Sequence, residues 1–143
     1  MSSAPASTAD PTVPPVVSGR VAQRGDDWLL LQIPGTSYKL RLMVEVQLEA
    51  AAGDKVTGTL HASARRVDVI TAGGRYVEPV TGRPRRLQGR VVGGHVGGGL
   101  LFVNTGVPFV CSLTDERQAV SDFEIGQLVS FDVEAGTGFK PAR

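Results

Sequence analysis

Residues 38–49, YKLRLMVEVQLE, alternate between apolar and polar side chains over twelve positions. Leucines, valines and a tyrosine take the even-numbered positions, and mostly charged or amide side chains take the odd ones. A period of two puts one row of side chains on a core and the other in solvent, which is typical of a β-strand. The segment therefore predicts an all-β protein in which this strand runs unbroken to Leu48.

The composition of the 143-residue chain excludes several classes of protein. No run approaches the ~20 consecutive apolar residues that a membrane helix needs. The first residues contain neither a basic nor an apolar segment of the kind found in secretory signals, so we expect a cytoplasmic protein. One cysteine and two histidines (Cys111, His61 and His95) are too few for a disulfide or the usual zinc spacings, so we expect no metal and no cofactor.

The sequence repeats itself with an offset of about 70 positions. The tripeptide GRV at residue 19 recurs 70 positions later. The offset is then 71 as far as the pair Leu42 and Leu113, and 73 from the pair Gly53 and Gly126. Matches that keep their order while loops change length are expected of a duplicated domain. We therefore predict two β-domains related by internal duplication.

The composition along the chain suggests where these domains begin and end. The start of the chain is rich in serine, alanine and proline and cannot bury enough apolar surface to offset its conformational entropy. The second copy ends before a fifth strand is complete, so a strand from elsewhere closes it or one edge stays open. The predicted parts are a disordered tail at 1–17, a first barrel at 18–77, a linker rich in arginine and proline at 78–86 and a second barrel at 87–143.

Two local signals lie in the second copy. The glycine-rich residues 93–99 stand between apolar runs and predict a hairpin. The polar stretch from Thr114 to Phe123 predicts a short helix, because Thr114 is a suitable N-cap and two acidic residues follow it in the first turn.

Both copies share one order of elements, namely three strands, a loop or short helix, and a Gly-x-x-Val that opens a further strand. This order resembles the OB-fold barrel. Residues 53–63, GDKVTGTLHAS, and residues 113–135 are also similar to the small oxyanion-binding barrels of molybdate-binding proteins and transporter ATPase tails. That family would have a basic residue before the alanine, where this chain has His61 and Glu134.

The fold class that we predict is all-β, with two tandem OB-like barrels. Each copy is close to the ~60-residue size at which stability is marginal, so we expect the barrels to pack on each other. The alternation of side chains also predicts which residues are buried. The predicted core contains Leu40, Leu42, Val56, Leu60, Leu101, Cys111, Leu113, Val129 and Val133.

The charge is unevenly distributed. Residues 65–90, called the arginine segment below, hold seven arginines against two acidic residues, a local charge of +5 in a chain of net charge +1. The rest of the chain therefore carries −4. Arginine is suited to phosphate contacts and to stacking on bases. We predict nucleic-acid contacts by Arg65, Arg66, Arg83, Arg85, Arg86 and Arg90.

The aromatic side chains add one candidate for base stacking. Trp28 stands at a predicted hairpin, whereas Tyr38 and Phe109 head an apolar row and are expected in the core. Cys111 is expected to be a buried apolar residue, and no motif of a common enzyme is present. The leading function is thus a non-enzymatic module that binds single-stranded nucleic acid. The alternatives are a protein-interaction module with an open strand edge in the second barrel, and small oxyanion binding between the barrels.

Overall fold

The computed structural model describes residues 10–142, and within this range it contains strands, turns and loops but no α-helix. Two single turns of 3-10 helix lie at Val96–Gly98 and Val120–Asp122. The prediction of an all-β protein is confirmed. The strands are β1 (Val17–Arg24), β2 (Trp28–Gln32), β3 (Lys39–Met43), β4 (Lys55–Ala64), β5 (Asp68–Ile70), β6 (Tyr76–Glu78), β7 (Thr81–Gly82), β8 (Arg86–His95), β9 (Leu100–Asn104), β10 (Pro108–Leu113), β11 (Leu128–Asp132) and β12 (Gly138–Pro141).

Five of these strands form one closed barrel. Strand β2 pairs antiparallel with both β1 and β3, and β1 also pairs antiparallel with β4. The remaining gap is filled by β12, which runs parallel to β3 and antiparallel to β4. The barrel is therefore mixed, and a strand from the far end of the chain completes it.

The other strands extend the same sheet beyond the barrel. Strand β10 runs parallel to the second half of β4, and β9, β8 and β11 follow in antiparallel order. Strand β5 pairs with β11, β6 with β8, and β7 with β3. One isolated bridge joins Ala64 to Val133. The structure thus shows a single barrel with extra strands, and it does not show the predicted pair of tandem barrels.

The two halves of the chain share details of strand pairing. A β-bulge interrupts the pairing of β1 with β2 after Val21, and another interrupts the pairing of β8 with β9 after Val91. Before the fourth strand of each half, a glycine N–H donates to the carbonyl of that same valine, from Gly53 at 2.7 Å and from Gly126 at 2.8 Å. Two bulges and two turns therefore recur at matching positions.

The strand register corrects one of the residue pairs predicted from the repeat. Leu42 lies opposite Leu29, and in the second half Cys111 lies opposite Leu101. When the two bulges are aligned, Leu42 matches Cys111 and not Leu113. The reason is that six residues join β2 to β3 but only three join β9 to β10. A constant sequence offset across that loop hides the change of register.

The core agrees with the alternation of side chains at all but one predicted position. Leu40, Leu42 and Leu60 are fully buried, and the other predicted core residues except Leu113 are buried as well. Leu113 is half-buried at the end of β10, where the strand leaves the sheet. The inward and outward faces of the strands were therefore predicted correctly, whereas the end of β10 was not.

The long strand predicted at residues 38–49 is shorter in the structure. Strand β3 ends at Met43, which lies opposite Trp28, the first residue of β2. Beyond this point β3 has no partner in β2, and the N–H of Val44 donates to the carbonyl of Asp27 in the turn. Val46 belongs to the apolar row of the sequence pattern but is 56% exposed, because it lies beyond the end of the strand.

The predicted helix at residues 114–123 is also wrong. The hydroxyl of Thr114 donates to the carbonyl of Ala64 at 2.6 Å, so it does not cap a helix. The side chain of Gln118 bonds both the N–H and the carbonyl of Val67, at 2.8 and 2.7 Å, and so pairs this loop with the chain after β4. Tertiary hydrogen bonds hold the segment as a loop with a single 3-10 turn. The hairpin predicted at residues 93–99 is present between β8 and β9.

The chain before β1 packs against the outside of the sheet. The carbonyl of Pro11 accepts a hydrogen bond from the N–H of Gly94 at 2.8 Å. A Cβ at Gly93 would overlap this carbonyl, so the close approach requires glycine there. Phe102 is buried beneath this segment, apart from the main core. Residues 10–16, which were assigned to the tail, thus pack against β8 and β9. Val17, the last residue of the predicted tail, begins β1 and is buried, and residues 1–9 lie outside the described range.

Candidate nucleic-acid interface

The described residues hold no cluster of three metal-binding side chains. None of the helical turns in the described range is long and apolar enough to cross a membrane. Burial raises the pKa of the Cys111 thiol far above its usual value, so the thiol stays protonated at neutral pH. The candidate sites are therefore surfaces defined by charge and by exposed aromatic side chains.

Backbone pairing places three residues of the arginine segment around the end of β11. The N–H of Arg65 donates to the carbonyl of Asp132, and the carbonyl of Arg85 accepts from the N–H of Val133, each at 2.9 Å. Arg86 begins β8 directly opposite Asp132. Arg65 is thus brought next to Arg85 and Arg86, which come much later in the sequence, around one strand end.

Carboxylates offset part of that charge. Arg86 makes a 2.7 Å ion pair with Asp132, and Arg66 makes one of 3.2 Å with Asp68. The hydrogen bond to Asp132 is also the main reason that the pKa of Arg86 is raised. Among the described residues, Arg65, Arg83 and Arg85 are exposed and have no carboxylate partner.

The arginines of β8 do not form one continuous row. Arg86 and Arg90 share the outer face of the strand, with Gln88 between them. Gln88 is buried, and its side-chain amide donates to the carbonyl of Gly74 at 2.8 Å. Arg90 lies beyond this covered position and donates to the carbonyl of Gly126 at 2.9 Å. The structure therefore separates Arg90 from the other predicted contacts.

A second basic surface, absent from the sequence analysis, lies on the barrel. The five barrel strands read VSGRVAQR, WLLLQ, KLRLM, KVTGTLHASA and GFKP, and they contain no aspartate or glutamate. They carry six cationic residues, whereas acidic residues occur in β5, β6 and β11. The cations are Arg20, Arg24, Lys39, Arg41, Lys55 and Lys140.

The pairing of the strands brings three of these cations into one row. Arg20 lies opposite Lys55 on one side and opposite Gln32 on the other, and Gln32 lies opposite Lys39. All four side chains point outward, because their neighbours along each strand are buried. We call the outward side chains of β1–β3, together with Lys55, the barrel face.

The next row of the barrel face contains Arg41, and the aromatic residue Trp28 lies one row further. Arg41 lies over the indole of Trp28, with its Cζ 4.0 Å from the ring centroid. Trp28 is half-buried and rests against Gly25, while Arg41 is exposed. The stacked pair fixes the guanidinium plane and leaves its outer side open to a base or a phosphate. Trp28, the predicted stacking residue, therefore lies beside an unpaired arginine of the barrel face.

The other aromatic side chains do not form a stacking surface. Phe102 and Phe109 are fully buried. Tyr38 is half-buried, and its hydroxyl donates to the carbonyl of Thr105 at 2.9 Å. Phe109 is in the core as expected, whereas Tyr38 is half-buried and packs against the edge of the core.

Strand β7, which lies within the arginine segment, pairs with the barrel strand β3. Thr81 and Gly82 pair parallel with the start of β3, where Thr81 lies opposite Lys39. The pairing ends with Gly82 opposite Leu40, and Arg83 is the next residue along the chain. The chain then continues through Arg85 to β8. The barrel face and the arginines near β11 are therefore joined along the chain by Arg83.

Strand β5 ends the path of paired strands, so the sheet has an open edge there, whereas the five barrel strands form a closed ring. This strand has three residues, pairs only with β11 and leaves Val69 50% exposed. A short edge of this kind offers few backbone hydrogen bonds to an added strand. Protein interaction at an open strand edge stays a prediction, and the edge in question is that of β5.

His61 lies on the outer row of β4 and is half-buried beside the barrel. Its Nε2 is 2.7 Å from the hydroxyl of Thr59, and β12, β10 and the residues after β3 present Lys140, Ser112 and Glu45 around it. Its pKa is lowered, mainly because burial disfavours the charged ring and further because Lys140 is near.

The lowered pKa of His61 predicts a pH dependence of stability. As the pH falls, His61 is protonated in the unfolded chain before it is protonated in the folded one. The contribution of neutral His61 to the free energy of unfolding is therefore complete above about pH 6.5 and is lost as the pH falls through the folded pKa. The free energies of unfolding of wild type and His61→Gln should be compared at about pH 7.5 and at about pH 5. We expect wild type to lose stability relative to the variant at the lower pH, and an unchanged difference would contradict this.

Comparison of the chain with protein-family models gives no match. Curated proteins and solved structures likewise give no match. A function is therefore inferred from the residues of the chain and from their geometry.

Proposed function

We propose that this protein binds single-stranded nucleic acid along the barrel face, with Arg83 and Arg85 extending the contact toward β11. The observation that carries the proposal is the composition of the barrel strands, which combine unpaired cations with a complete lack of carboxylates. A net charge of +1 does not attract a polyanion, so binding requires such a local surface. The remaining predicted contacts, at Arg65, Arg66, Arg86 and Arg90, lie outside this surface.

The spacing of the side chains suits a flexible single strand. Consecutive outward positions on a strand are about 6–7 Å apart, and neighbouring strands are about 5 Å apart. Phosphates can therefore bind Arg20, Lys39 and Lys55 while a base stacks on the Arg41–Trp28 pair. Leu30, directly opposite Arg41, adds apolar contact beside that pair.

The same proposal includes an OB-like reading of the barrel. Three sequential antiparallel strands and a fourth that returns to the first support this reading, as in OB-folds that bind oligonucleotides. The recurring bulges and turns support an origin of the two halves by duplication. In this reading the second half kept the arrangement of strands, but Asp132 at the end of β11 pairs with Arg86, so the barrel is the half that binds.

The proposal predicts salt-dependent binding that two substitutions weaken. Wild type and the double variant Lys39→Gln with Arg41→Gln should be titrated with oligothymidylate and oligouridylate of about 16 nucleotides. Trp28 is the only tryptophan, so its fluorescence reports binding at the proposed surface. We expect the variant to bind more weakly at low salt, with a log–log salt slope flatter by about 1.4, or 0.7 for each lost contact.

A matched control removes the same charge elsewhere. Arg75 is exposed and precedes β6, and Arg117 is paired with Asp115 at 3.0 Å. The double variant Arg75→Gln with Arg117→Gln should bind as wild type does. Equal weakening in both double variants would indicate that only net charge matters. If wild type binds neither oligonucleotide at low salt, nucleic-acid binding is wrong and protein interaction at β5 becomes the better hypothesis.

A further inference from the structure

A cavity of about 270 Å³ lies where the barrel meets the extra strands. It lies on the outer side of β4, β10 and β12, next to the end of β3. Its polar lining consists of His61, Ser63, Ser112, Lys140 and Glu45.

The strand register explains why these side chains converge. Ser63 lies opposite Ser112 across the parallel pair of β4 and β10. His61, two positions earlier on the same face, lies opposite Gly138, which has no side chain to fill the space. Lys140 follows two positions after Gly138 on β12. Two hydroxyls, an imidazole and an ammonium therefore border one opening.

We infer that this cavity binds a phosphate monoester, either as free phosphate or as the terminal phosphate of a bound oligonucleotide. Lys140 supplies a positive charge, and Ser63 and Ser112 supply hydroxyl donors that have no side-chain hydrogen bond within residues 10–142. The Nε2 of His61 and the hydroxyl of Thr59 are 2.7 Å apart, and in the tautomer in which this hydroxyl donates, the Nδ1 of His61 carries the proton and is a further donor. Hydrogen bonds to an ionised group are stronger than those between neutral groups, so these donors favour the binding of an anion.

Glu45 is exposed at the rim and opposes an anion. Its carboxylate lowers the affinity for phosphate without filling the cavity. The substitution Glu45→Gln therefore raises the affinity for phosphate, whereas Lys140→Gln lowers it. Opposite effects of two charge changes at one cavity distinguish binding there from a general response to net charge.

The cavity borders the barrel face. Met43 lines it and lies directly opposite Trp28 on β2. A strand bound along the barrel face can therefore place one end in the cavity. The oligonucleotide form of the inference rests on the proposed function, whereas the binding of free phosphate does not.

The test compares three unlabelled oligothymidylates of one length, with a 5′ phosphate, with a 3′ phosphate or with hydroxyls at both ends. Binding is followed by the fluorescence of Trp28 in wild type, Lys140→Gln and Lys55→Gln. We expect one phosphorylated form to bind about tenfold more tightly than the hydroxyl form. Lys140→Gln should abolish this preference, whereas Lys55→Gln should weaken all three oligonucleotides and keep it.

Each other outcome has a definite meaning. If the three oligonucleotides bind wild type equally, the oligonucleotide form of the inference is overturned while the proposed function stands, and titration with inorganic phosphate decides on the free form. If none of them binds, the proposed function fails, and calorimetric titration with inorganic phosphate decides on the cavity alone. Binding by wild type that is lost in Lys140→Gln and strengthened in Glu45→Gln supports the site. No binding by wild type, or equal binding by all three proteins, overturns it.

Discussion

Replacing Phe139 by alanine should lower the free energy of unfolding by about 3–5 kcal/mol. Phe139 is 1% exposed and is the one large apolar side chain of β12, the strand that closes the barrel. Its ring packs over Gly58 on β4, where a Cβ would come within 2.7 Å of the ring. The substitution leaves a cavity and loosens the closing strand, so the loss should show in urea denaturation followed by tryptophan fluorescence.

The control for this prediction is the next residue on the same strand. Lys140 is exposed, and Lys140→Ala should change the stability by no more than about 0.5 kcal/mol. A similarly small effect of Phe139→Ala would mean that β12 is not part of the barrel in solution.

The second large effect is expected for Leu42→Ala, at about 2–5 kcal/mol. Leu42 is fully buried inside the barrel, opposite Leu29. Leu113, its partner in the sequence repeat, is only half-buried, so Leu113→Ala should cost clearly less. Thermal or urea unfolding of both variants measures the difference. Equal losses would show that the two positions are equivalent, as the sequence offset suggested and the strand register does not.

Local patterns predicted the class of the fold and most of its core. Leu40 and Leu42 were placed inward correctly because alternation depends only on neighbours along one strand. Strand ends were less predictable. The chain after Met43 keeps the alternating pattern, but a strand also needs a partner, and β2 begins at that level. The sequence of one segment alone does not predict which distant segment it pairs with.

The closing strand shows the same difficulty. Its sequence GFKP has four residues and one large apolar side chain, which is too little for a periodic signal. Tertiary contacts likewise decided the loop at 114–123, where Gln118 bonds the backbone of Val67.

The candidate site was predicted in part. The arginine segment stood out because its charges are close in sequence, and Trp28 because it flanks a turn. The barrel face did not, because Arg20, Lys39 and Lys55 become neighbours only through strand register. One signal was available in the sequence, namely that the segments that form the barrel contain no acidic residue. Its meaning depends on knowing that these segments surround one barrel.

The position of β12 has a consequence for the order of events during synthesis. Met43 and Gly138, which pair in the barrel, are 95 positions apart in the chain. Strands β1 to β4 leave the ribosome with a gap between β3 and β4 that no segment nearby in sequence fills. Contacts of such long range are slow to form, because the loop entropy is lost before the contact is gained. The nascent barrel therefore exposes its apolar interior until the final strand emerges, and during that interval it is vulnerable to aggregation and to proteolysis.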